Sequence, residues 1–74
     1  MIYAYQDGKY IRYTFGDGMD KDFRLNDYPA KLLYVMGNKI IYEDQFGKTS
    51  YAEIDDKRGY IISWGEVKSN TRFR

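Results

Sequence analysis

The side chains here best able to do chemistry are carboxylates, and the densest group is Asp17, Asp20 and Asp22, with Asp27 close by. A calcium site needs several oxygens converging on one ion, usually alternating Asp or Asn followed by glycine. Only Asp20 and Asp22 keep that alternation; Lys21 stands between them, and Gly16 and Gly18 come before them. At that spacing on a strand both carboxylates point into water, so the group reads as a solvated face and no metal is expected. Glu43-Asp44 and Asp55-Asp56 raise the question of acid–base catalysis. That chemistry requires two carboxyl groups in differently polar surroundings across a cleft, and neighbours in a tight turn lack it. Ser50, Ser63 and Ser69 have no histidine to activate them, since the chain contains neither His nor Cys. The expectation is a protein that is not an enzyme and has no cofactor.

Aromatic residues are the stronger signal. The 74 residues include nine Tyr, four Phe and one Trp, more rings than so small a core can hold. Tyrosine offers a large apolar area at low entropic cost while its hydroxyl stays wet. If Ile11, Tyr13 and Phe15 face inward, then Tyr10, Arg12 and Thr14 face outward, with Tyr3 and Tyr5 beside them. Rings interleaved with arginine suit a protein interface, and they also suit stacking of single-stranded nucleic acid. The basic end, with Lys68, Arg72 and Arg74, is a solvated terminus or a docking arm. The candidate partner-binding residues are therefore Tyr3, Tyr5, Tyr10, Arg12, Arg72 and Arg74. Trp64 shares a strand face with Ile62 and Tyr60, and that spacing predicts a core role for it, with an interface anchor as the second reading because tryptophan is enriched at binding hot spots.

These side chains need a scaffold, and turn signals every eight to ten residues describe one. Asp7-Gly8 separates Ile2–Tyr5 from Tyr10–Phe15, and Gly16-Asp17-Gly18 turns the chain into a strand over Met19–Leu25. After the irregular stretch Asn26-Asp27-Tyr28-Pro29, the segment Ala30–Met36 admits two readings. Asp27 and Pro29 can start a short helix near 29–36 that Gly37 ends. Alternatively, Gly37-Asn38 joins two strands as a hairpin, which the β-forming flanks favour. Gln45–Lys48 and Asp55–Gly59 turn the chain again, and Gly65 breaks the pattern before an edge strand over Glu66–Lys68.

Twelve basic against eleven acidic side chains leave a net charge of +1. Duplex-DNA proteins depend on excess positive charge for affinity, so no duplex binding is expected at physiological salt. No stretch reaches the roughly 20 apolar residues of a membrane span and no signal-peptide pattern opens the chain, which points to a cytoplasmic protein without membrane association. With no disulfide and no zinc site open to it, a domain of this size must rely on packing, and burial between copies in a homo-oligomer would add to it.

The stretch Tyr34–Tyr42 through Gly47-Lys48-Thr49 resembles the hairpins of small archaeal chromatin proteins, which are SH3-like barrels. The resemblance covers less than a third of the chain and lacks that family's lysine-rich surface, so it implies a fold and not DNA binding. The expected architecture is a single all-β domain over residues 1–74. It is a six- or seven-stranded antiparallel meander closing into an SH3-like barrel, or α+β if residues 29–36 are helical. The expected function is a small binding module that acts on a protein partner through a Tyr-rich β surface, in the manner of a phage or mobile-element inhibitor of a host system. A single-stranded nucleic-acid binder and a self-assembling subunit are the alternatives.

Overall fold

Ile11, Tyr13 and Phe15 alternate with Tyr10, Arg12 and Thr14, and a period of two sends the two sets to opposite faces of a strand. In the computed structural model, which describes residues 2–15 and 22–67, burial over residues 10–15 alternates in this way. The elements are β1 (Ile2–Asp7), β2 (Tyr10–Phe15), β3 (Phe23–Arg24), β4 (Lys31–Met36), β5 (Lys39–Glu43), β6 (Thr49–Ile54) and β7 (Ile61–Glu66). No helix occurs among the described residues, so the class is all-β and the segment after Pro29 is a strand.

The strands form two antiparallel sheets, β1-β2-β3 and β4-β5-β6-β7. Two hairpins set their registers. Asp7 pairs with Tyr10 and Met36 with Lys39, so the two-residue loops are Gly8-Lys9 and Gly37-Asn38. Both glycines have φ of +62° while the following residue does not go positive, the pattern of a type II′ turn, whose twist suits flanking strands. The first turn is thus one residue later than Asp7-Gly8 would place it.

Ile2, Ile11, Tyr13, Phe15 and Leu25 from the first sheet pack with Ile40, Tyr42, Ala52 and Ile54 from the second to make the core. The long loop before β7 closes one end of it. Gly59 lies flat beneath Phe15, and its carbonyl accepts a 2.8 Å hydrogen bond from the buried Tyr13 hydroxyl. At the other end Gln6 joins the sheets. Its side-chain Nε2 donates to Ala30 C=O at 2.8 Å, and its Oε1 accepts from Leu32 N–H at 2.8 Å. One side-chain amide thus does for β1 and β4 what a peptide group does inside a ladder.

This architecture corrects three expectations. The sheets do not close into an SH3-like barrel: among the described residues β3 ladders only with β2, β7 only with β6, and β1 meets β4 through the Gln6 amide. Gly65 does not interrupt the last strand. It sits inside β7 opposite Tyr51, whose ring covers it, and Glu66 completes that strand rather than opening another. Of the strand expected over Met19–Leu25, residues 19–21 lie outside the described residues, and Phe23 and Arg24 are in ladder geometry. Finally, Tyr60, Ile62 and Trp64 are all exposed. A bulge shifts the register between Glu53 and Ile54 where they meet β7, and among the described residues the inner face of β7 at Trp64 stays exposed.

Candidate functional site

The outer face of the first hairpin holds the side chains that the alternation assigns to it. Tyr3 lies across from Thr14, Tyr5 from Arg12 and Asp7 from Tyr10. The Tyr3 and Tyr5 rings stack with centroids 6.0 Å apart. Most of this face is already engaged within the chain. Arg12 donates to Asp22 Oδ1 at 2.9 Å, and the Tyr5 hydroxyl donates to the other oxygen of the same carboxylate. The guanidinium, then the phenol, holds Asp22 below the usual carboxylate range. Reciprocally, the bond to Asp22 raises Tyr5 and Arg12. Arg24 covers the Tyr10 ring from 4.8 Å. Of the four candidates here, only Tyr3 presents a broadly open ring. Arg72 and Arg74 lie outside the described residues, as do Lys68, Asp17 and Asp20. Asp22, the one described member of the acidic triplet, serves as a counter-ion, and among the described residues no three potential ligands gather to hold a metal.

A second set of rings forms a different surface. Trp64 lies on the inner face of β7, across from Ala52, and is exposed among the described residues. Tyr28 and Pro29 reach it from the segment before β4, and Phe46 from the β5–β6 loop. With Tyr42, Asn26, Asp44 and Gln45 they line a cleft of about 270 Å³. Trp64 is 64% exposed, Tyr28 59% and Phe46 78%. Folding alone does not account for rings left so open.

The cleft's polar wall is well built. Asp44 Oδ1 accepts from both Phe46 N–H and Lys48 N–H at 2.9 Å, and Gly47 N–H donates back to Asp44 C=O at 3.0 Å. Gly47, with φ of +82°, lets the loop turn tightly enough for this. The amides, Lys48 first, hold the carboxyl below its usual range. Burial raises the Tyr42 phenol, and the nearby Asp44 charge raises it further. Glu66 lies on the same sheet face as Trp64, across from Ser50. Asp22 and Asp44 are both held ionised, the reverse of what a general acid needs.

A larger, shallower groove of about 620 Å³ adjoins the cleft and shares Pro29, Asp44 and Gln45 with it. The sequence carried some signal for the cleft: Tyr28-Pro29 and Phe46-Gly47 are ring residues in turns, where no core exists to receive them. No protein-family model, curated protein or solved structure matches this chain.

Proposed function

We propose that this protein is a non-enzymatic binding module whose partner is another protein, gripped by the Tyr28–Phe46–Trp64 cleft beside the β7 edge. The observation that carries this reading is the convergence of three exposed rings from three separate segments onto one open cleft. Exposed aromatic residues clustered around a pocket are the usual anchors of protein interfaces, tryptophan and tyrosine above all. β7 adds a strand edge that pairs only with β6 among the described residues, and an extended segment can add itself to such an edge. The first-hairpin face, through Tyr3, is a secondary contact in this reading.

Single-stranded nucleic acid is the weaker alternative. It needs cations beside the rings, whereas among the described residues no Lys or Arg lines the cleft and Arg12 is tied to Asp22. The net charge of +1 argues likewise against duplex DNA.

The test is capture of partners from the native cell by the tagged chain, comparing wild type with Trp64→Ala and Phe46→Ala. Both variants should unfold within about 1 kcal/mol of wild type, as exposed positions do. Both should lose the captured protein, each anchor costing about 2 kcal/mol or more. Undiminished capture by both would refute the reading.

A further inference from the structure

We infer that the Tyr28–Phe46–Trp64 cleft receives the guanidinium group of an arginine side chain from the partner polypeptide. The inference rests on the protein-binding reading above and adds the chemistry of what is bound.

Size limits the ligand first. About 270 Å³ falls below the roughly 300–1,000 Å³ of sites for drug-sized molecules, and suits one inserted side chain. Charge fixes its sign. Four aromatic residues and Pro29 supply the apolar walls, Asp44 is the only ionisable carboxyl among the lining residues, and none of them is basic. Ring faces attract cations through their quadrupole, and a carboxylate in the wall adds to that attraction. Asp44 is placed to take part. Its Oδ1 is taken by two backbone amides, while Oδ2 has only a 3.5 Å contact with the Ser50 hydroxyl among the described residues. That oxygen keeps lone pairs for an incoming donor. Glu66, two residues from Trp64 on the same face, adds a second negative charge.

Geometry then separates the cations. A quaternary ammonium has no N–H to give to Asp44, and it is held best by rings closed around it; this cleft is open. An ammonium can donate but stacks poorly. A planar guanidinium can lie on a ring and donate sideways to a carboxylate at once. The chain itself sets cations over rings elsewhere, Lys9 and Arg24 over Tyr10 and Lys39 over Tyr51, and the arginine approaches nearest, at 4.8 Å.

Trp64 is the sole tryptophan, so its emission and its indole resonance report on the cleft. The full-length protein is titrated with blocked Gly-Arg-Gly, Gly-Lys-Gly and Gly-Gln-Gly tripeptides. The arginine peptide should give a saturable change at Trp64, the lysine peptide should bind about threefold more weakly because it cannot stack, and the glutamine peptide should give none. Phe46→Leu and Glu66→Gln should each weaken arginine binding about threefold to tenfold. These two leave the Asp44-capped loop intact, which Asp44→Asn would not. Equal responses to arginine and glutamine would overturn the inference, as would a Trp64 signal silent to all three peptides. If only the double variant Arg72→Ser, Arg74→Ser responds, the chain's own basic end fills the cleft and the assignment to a partner is wrong. Arginine binding with cellular capture unaffected by Trp64→Ala would uphold the cleft chemistry and refute the protein-binding role. Capture lost without arginine binding would do the opposite.

Discussion

Gly59 shows how narrow the tolerance of single positions is. Its φ is +82°, and a Cβ there would fall 2.6 Å from Phe15 Cζ. Gly8 has φ of +62° with nothing within 4 Å of its would-be Cβ. Gly8→Ala should therefore cost only backbone strain, about 1–2 kcal/mol. Gly59→Ala should cost that strain plus overpacking of the Phe15 ring, about 2–5 kcal/mol in all. Urea denaturation of the two variants would check this, and equal losses would mean that Phe15 moves aside freely. Asp22 makes a second test at the scale of one residue. The bonds from Arg12 and Tyr5 depress its folded-state pKa, so its contribution is fully present above the ordinary carboxylate value. It is lost as pH falls through the depressed folded value. Denaturation midpoints measured against pH should therefore fall more steeply on the acid side for wild type than for Asp22→Asn, in which the contribution is already missing. Parallel acid limbs would show that the triad adds nothing to folding.

Among the elements, the joint between β1 and β4 depends on one side chain. Gln6 both gives to Ala30 C=O and takes from Leu32 N–H. Gln6→Glu keeps the acceptor but sets a carboxylate oxygen against a carbonyl, so it should destabilise by about 1–3 kcal/mol, the cost of leaving such groups unmatched. Faster hydrogen exchange at the Leu32 amide would locate the damage, and an unchanged rate there would count against a joint of this kind. No periodicity argument finds this contact, because Gln6 follows Tyr5 as an ordinary polar residue at the end of a run. The strands themselves were more legible. Alternation over 10–15 placed Ile11, Tyr13 and Phe15 inward, and Gly37-Asn38 named its own turn. The misreadings cluster in β7. There a bulge breaks the period of two, and a glycine stands under Tyr51 where it would ordinarily end a strand. The cleft was obscured for the same reason. Trp64 does face inward by parity, but only tertiary structure reveals that it stays exposed among the described residues.

At the scale of the whole molecule, the two sheets are open arrays rather than one closed ring, and no described helix is long and apolar enough to cross a membrane. Among the described residues every ladder joins strands that follow one another in the chain. Among the described residues, ties between the arrays include the Gln6 amide, Ala30 N–H to Lys9 C=O and, 46 residues apart, the Tyr13 hydroxyl to the Gly59 carbonyl. Contacts between chain neighbours close short loops and form early, whereas a contact at long separation waits until both arrays are in place. The Tyr13 hydroxyl should thus be absent from the transition state. Tyr13→Phe should leave the refolding arm of a chevron plot where it is and raise the unfolding rate, about tenfold if the lost bond is worth near 1.4 kcal/mol. A slowed refolding arm would place the contact in the nucleus instead. In kinetic terms the hydroxyl is a latch: it sets how long the folded chain lasts and has no part in how the fold is found.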